Sequence, residues 1–99
     1  MRSRFSAYAL GLVEYVVVTT HPDGPQWRQD LALNVQHFCN TTSFDGLTVH
    51  GADHDGDEGH VSFTAHLRRN GRDASFGERS TFYRVDGRWL YHSGEALEQ

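Results

Sequence analysis

The chain has no lysine and no isoleucine, and only one cysteine, one methionine and two prolines in 99 residues. The lone Cys39 excludes an internal disulfide framework and a cysteine-based zinc site. It is expected as a small buried apolar side chain rather than a nucleophile, although His37 lies two residues away. No apolar run approaches the ~20 residues that span a bilayer, and Val16–Val18 sits inside a patterned segment. Met1-Arg2-Ser3-Arg4 leads into an amphipathic stretch with no cleavage site, so no secretory leader is expected and the expected compartment is the cytoplasm. All nine cationic residues are arginine, and lysine and isoleucine share AT-rich codons; together these point to GC-rich bacterial coding. The net charge of −4 argues against sequence-independent nucleic-acid binding. Arg68, Arg69 and Arg72 cluster, but around an apparent hairpin tip, where they are expected to be solvated.

The residues present fit one soluble domain spanning 1–99, with 37% apolar and 12% aromatic content. Phe5, Ala9, Leu12, Val16 and Thr19 recur at helical spacing, so residues 2–20 are expected as a helix ended by His21-Pro22. Gly11 and the β-branched run after Val16 weaken it, and Tyr8 and Tyr15 flank the stripe. Asp23-Gly24-Pro25 reads as a turn. A second helix is expected over 26–39, with Leu31, Val35 and Phe38 on its apolar face and Trp27 one turn earlier, followed by a loop at 40–43. The period then changes to two. Strands are expected at 46–53, 60–68, 75–85 and 88–93, the last two joined by Asp86-Gly87, a strong type I′ hairpin signal. Helices followed by a strand meander mean α+β, with the helices covering one face of a curved antiparallel sheet of about four strands.

The Asp86-Gly87 turn sets a register. Phe82 faces Tyr91, Arg84 faces Trp89, and Ser80 falls opposite Ser93. Phe76, Glu78, Ser80, Phe82, Arg84, Trp89 and Tyr91 then share one face, expected toward the helices because it holds more aromatic surface. Glu78 and Ser80 would point inward. A buried carboxylate must be paired or carry a raised pKa. Two readings stay open: a structural pair, for example with Arg4, or the polar floor of a ligand pocket. A register that exposes Glu78 is a third.

MRSRFSAYALGLVEYVVVTTHP and GERSTFYRVDGRWLYHSGE resemble the opening and the final strands of the central domain of the YchJ-like bacterial proteins. The family's patterns are Met-Arg-Ser-Arg-Tyr-Ser-Ala, then Thr-x-x-Pro, Glu-x-Ser-x-Phe and Gly-Arg-Trp-x-Tyr. The resemblance covers nearly the whole chain and is loose over 23–45. It implies a cone-shaped fold like that of nuclear transport factor 2 (cystatin-like), and no established catalytic role at Arg2–Ala7, Glu78, Ser80, Phe82, Trp89 or Tyr91. Phe5 stands where tyrosine is common. Relatives carry cysteine-rich SEC-C zinc segments and extend the first helix upstream of Met1; this sequence shows neither, so zinc does not carry over.

DHDGDEGH, Asp53–His60, is the stretch that most resembles a metal site. Counted from Asp53 as an EF-hand loop, the required glycine and glutamate positions hold Glu58 and Thr64. A zinc site from His50, His54 and His60 would need side chains of two strands to converge. The stretch is therefore read as a hairpin tip, with Gly56 and Gly59 supplying turn geometry, and His60 and His66 facing solvent. No metal and no cofactor is expected. The expected function is a non-catalytic domain that binds a small ligand or a protein. Its pocket candidates are Arg4, Tyr15, Glu78, Ser80, Phe82, Trp89 and Tyr91. The alternative is a small acid–base enzyme of isomerase, dehydratase or hydrolase type using Glu78, with Ser80, Tyr15 or Arg4 orienting the substrate. A homodimer through the outer sheet face (Tyr83, Leu90, His92) is expected, and neither nucleic acid nor membrane is an expected partner.

Overall fold

The computed structural model describes residues 2–97. Among them, three helices precede five strands: α1 (Arg2–Leu10), α2 (Val13–Val18), α3 (Leu31–Thr41), β1 (Ser43–Asp55), β2 (Glu58–Arg69), β3 (Arg72–Asp73), β4 (Phe76–Val85) and β5 (Arg88–Ala96). The strands form one open antiparallel sheet in the order β1-β2-β4-β5, with the short β3 bonded to β2. This is the α+β architecture expected, with longer strands and one addition, β3.

The first helix is not continuous. Gly11 adopts φ +70°, a left-handed conformation that glycine enters without the Cβ penalty. Gly11 N–H donates to the Tyr8 carbonyl at 3.1 Å and Leu12 N–H to that of Ala7 at 2.8 Å, closing α1 as a Schellman turn. The break rotates α2 relative to α1, so the expected stripe is not one face. Ala9 and Leu12 are exposed, whereas Arg4, Ala7, Val16 and Thr20 are buried.

The helix expected over 26–39 is α3, and it starts at Leu31, not at 26. The chain before it is pinned to the edge of β5: Tyr91 N–H donates to the Thr19 carbonyl and His21 N–H to the Tyr91 carbonyl, both at 2.7 Å. Gly24 then packs so tightly on the His92 carbonyl that no Cβ would fit. Residues so held cannot enter a helix, and Trp27 ends up exposed in a turn rather than on an apolar face. At its far end α3 takes in Asn40 and Thr41, expected as loop, with the Thr41 hydroxyl bonded to the His37 carbonyl at 2.9 Å.

The β4–β5 hairpin turns at Asp86 (φ 52°) and Gly87 (φ 78°), and Phe82↔Tyr91 and Arg84↔Trp89 pair as expected. The register then slips at His92, so Thr81 faces Ser93 and Ser80 faces Gly94, not Ser93. DHDGDEGH is the β1–β2 hairpin. Gly56 (φ 61°) and Asp57 make its turn, but Gly59 lies inside β2. His66 is exposed as expected. His60 is not: it is half-buried between Asp53 at 3.1 Å and Glu58 at 3.0 Å. Among the described residues, no three His, Cys, Asp or Glu side chains stand together as a metal site, and no helix is long and apolar enough to cross a membrane.

The apolar residues form two clusters rather than one. Ala7, Val16, Leu31 and Val35 pack between the helices, joined by Tyr8 and Cys39. Phe63, Ala65 and Leu67 pack on the inner sheet face, joined by Phe5, Phe38 and Phe44. Alternation along β2 places the second set, as a period of two requires.

Candidate functional site

Between these clusters lies a cavity of about 460 Å³. Leu31 and Val35 of α3 form one wall, and Phe63, Ala65 and Leu67 of β2 the other. Phe5, Tyr8, Phe38 and Phe44 meet edge-on or stacked at 5.6–6.1 Å between ring centres and line one side. Arg4, Gln26, Glu78 and Tyr91 converge at one corner, and Arg28 and Asn34 also line the cavity.

The polar corner is built by β4, β5 and the start of α1. Glu78 Oε2 accepts hydrogen bonds from Ser80 Oγ and, at 3.2 Å, from the Tyr91 hydroxyl. Gln26 Nε2 donates to the same hydroxyl at 3.4 Å. The carboxyl group lies directly over Gly94, where an added Cβ would overlap it. The β5 bulge creates this cradle by bringing Gly94 opposite Ser80. Burial first, and then the Glu78 carboxylate, push the Tyr91 phenol well above its usual value. Burial likewise raises the Tyr8 phenol.

Arg4 is only 5% exposed. Its Nη1 donates to the Val16 carbonyl at 3.2 Å and to the hydroxyls of Thr19 at 2.7 Å and Thr20 at 3.4 Å. Its guanidinium stands 4.7 Å from the centre of the Tyr91 ring, a cation–π contact. Burial lowers its pKa, with Tyr8 and Tyr91 opposing. The structural pair between Arg4 and Glu78 offered by the sequence is not formed directly: the Tyr91 ring joins them, with Arg4 on its face and Glu78 at its hydroxyl.

The seven pocket candidates do not all converge. Arg4, Glu78 and Tyr91 line the large cavity, and Ser80 sits fully buried behind Glu78. Tyr15, Phe82 and Trp89 line a separate cavity of about 260 Å³ near the β1–β2 hairpin, where Arg4 is again a wall. Tyr15 is 39% exposed and donates to Ser3 Oγ at 2.9 Å. Trp89 is 37% exposed and lies over Gly59, with Arg84 5.1 Å from its ring centre. Trp89 therefore stands away from Glu78 although the two share a strand face, since a shared face says nothing about distance along it: Arg84, opposite Trp89, is six residues from Glu78, roughly 20 Å of strand.

Sequence reasoning missed Gln26, Tyr8 and Gly94. Gln26 sits in a turn with no periodic signal. Tyr8 lies on the turn of α1 that faces inward once Gly11 ends the helix. Gly94 reads as an ordinary strand glycine until the bulge is known.

Residues 1–94 match the family model described as YchJ, middle NTF2-like domain. The chain belongs to that YchJ-like family. It is 40% identical over 98 residues to a UPF0225 protein of Chromobacterium violaceum, covering 95% of this chain and 69% of the relative. It is 34% identical over 102 residues to a UPF0225 protein of Vibrio parahaemolyticus, covering 100% of this chain and 59% of that relative. The chain thus spans about three-fifths to two-thirds of the length of these curated relatives. Among solved structures it is similar to a SEC-C motif-containing protein of Rhodopseudomonas palustris, with a TM-score of 0.86 and 39% identity over 99% of this chain and 76% of that one. The nuclear-transport-factor-2-like fold implied by the end motifs is the family's fold.

Proposed function

We propose that this YchJ-like domain is a non-catalytic binding module that takes a small apolar molecule into the cavity between α3 and the sheet. One observation carries the proposal. Two apolar clusters that could merge instead stand apart around about 460 Å³ lined mainly by aromatic and aliphatic side chains, with Arg4, Gln26, Glu78 and Tyr91 gathered at one corner. Ligand sites have this size and composition. The test is titration with the neutral dye N-phenyl-1-naphthylamine, which brightens on entering an apolar site. Saturable one-to-one binding, lost in Ala65→Phe at unchanged thermal stability, supports the proposal. Equal dye binding by both proteins counts against it.

The alternative is acid–base chemistry at Glu78. It is favoured by a carboxylate oxygen, Oε1, that has no hydrogen-bond partner among the described residues and belongs to a side chain lining an apolar cavity. Turnover of an isomerase, dehydratase or hydrolase substrate that Glu78→Gln abolishes, with binding retained, would favour this alternative.

We further propose a cytoplasmic homodimer through the outer sheet face. Tyr83 and Leu90 pair there, and His21 and His92 pack on the Tyr83 ring at 5.9 and 5.0 Å, forming an aromatic patch on that face. Light scattering at high concentration tests it: a dimeric mass that falls in Leu90→Arg is expected, and a monomeric wild type refutes it.

A further inference from the structure

We infer that the ligand is a neutral ring compound bearing a hydroxyl group, an alcohol or phenol, whose O–H donates to Glu78 Oε1. The inference rests on the cavity being a ligand site, as proposed above, and adds the chemical class.

Three observations carry it. First, Ser80 and Tyr91 both donate to Oε2, so among the described residues Oε1 is left without a donor while the Glu78 side chain lines the cavity. A carboxylate oxygen beside an apolar surface is stabilised by a ligand donor that fills it. Second, the carboxyl group is held in place. Gly94 lies beneath it with no room for a Cβ, and its two donors are themselves buried. The Tyr91 hydroxyl is committed as well, donating to Glu78 and accepting from Gln26. It is not free to greet a ligand. Third, the charges at this corner oppose each other. The buried Arg4 guanidinium stands on the Tyr91 ring, 4.7 Å from its centre, and the Tyr91 hydroxyl meets Glu78 at 3.2 Å. An ammonium ligand at Oε1 would pair with Glu78 but would have to shed its hydration beside Arg4, in a cavity that Arg28 also lines, and a carboxylate would shed its own hydration and meet Glu78 as a like charge. A neutral donor avoids that desolvation cost. The apolar body of the ligand would lie along Phe38, Phe44 and Phe63, which line the cavity.

The experiment compares four probes of one ring system by calorimetric titration at neutral pH: naphthalene, 2-naphthol, 2-naphthoate and 2-naphthylmethylamine. The expected order is 2-naphthol tightest, by about tenfold over naphthalene as a hydrogen bond to a charged group supplies, with the anion and the cation weaker than naphthalene. In Glu78→Gln, confirmed as folded by circular dichroism, the naphthol advantage should shrink to about twofold while naphthalene affinity holds. The wild-type ranking needs no variant, so the test stands even if the substitution unfolds the protein. Equal binding of naphthol and naphthalene, or a preference for either charged probe, overturns the ligand class and leaves the cavity standing as a binding site. Failure of every probe, together with failure of the neutral dye, overturns the binding proposal and this inference with it.

Discussion

Gly94→Ala is the substitution whose consequence the structure specifies most closely. A methyl group on Gly94 would overlap all three atoms of the Glu78 carboxyl group, so either the carboxylate or strand β5 must move. The carboxylate is the softer partner, being the end of a flexible side chain. Its displacement breaks the bonds from Ser80 and Tyr91 and leaves a fully buried hydroxyl on Ser80 without a partner. Two hydrogen bonds to a charged group, less what water restores, amount to about 2–4 kcal/mol. For a domain of this size that lowers Tm by roughly 10–25 °C. The attribution to Glu78 is checked by a double-mutant cycle in urea, followed by the fluorescence of Trp27 and Trp89. In a Glu78→Ala background the added methyl meets no carboxylate, and Gly94→Ala should be neutral or stabilising by up to ~1 kcal/mol, since alanine loses less backbone freedom than glycine in a strand. A coupling energy near zero, with Gly94→Ala equally damaging in both backgrounds, would refute the cradle and place the strain in the backbone of β5.

Three further outcomes are expected. The phenols of Tyr8 and Tyr91 are both raised, so their neutral forms favour the folded state. That contribution is fully present below the unfolded phenol value of ~10 and is lost as pH rises through the higher folded values; phenolate absorbance should show a late phase that Tyr91→Phe diminishes, and its persistence unchanged would contradict the burial. Gly11→Ala should cost about 1 kcal/mol in urea unfolding, because a φ of +70° strains any Cβ although nothing lies near enough to clash; a neutral result would mean the α1–α2 break does not need glycine. Trp89→Ala should leave dye binding in the large cavity unchanged, since Trp89 lines the other one; lost dye binding at unchanged stability would merge the two cavities.

Much of the fold is legible because a few residues act locally. Asp86-Gly87 forces positive φ twice, and from it Phe82↔Tyr91 and the inward face of Glu78 and Ser80 follow by counting. The alternation Val61, Phe63, Ala65, Leu67 marks the inner face of β2 without help from any other segment. The misreadings share a cause: they depend on contacts far away in sequence. The His92 bulge has no composition signal and decides that Gly94, not Ser93, lies opposite Ser80. The late start of α3 follows from the docking of residues 19–24 on β5, invisible to helical periodicity. Gly11 did carry a signal: a glycine in mid-helix pattern is as much a C-terminal cap as a weakness. For the site, residue parity put Glu78, Ser80 and Tyr91 on one face, and the structure brings these three together on adjacent strands. Trp89 shares that face but lies far along it, because parity carries no distance, and Tyr15 entered as a helix residue beside the apolar stripe and lines the smaller cavity. DHDGDEGH, the stretch richest in metal-binding residue types, is a hairpin whose His60 is clasped by its own neighbours Asp53 and Glu58.

An apolar site between α3 and the sheet that is open to a small ligand should also admit xenon, which settles in apolar cavities and is visible by its anomalous scattering. In crystals of the protein pressurised with xenon, an ordered atom is expected between Val35 and Phe63, displaced when the crystal is soaked in 2-naphthol. Side chains closing that space, with no xenon there, would contradict it.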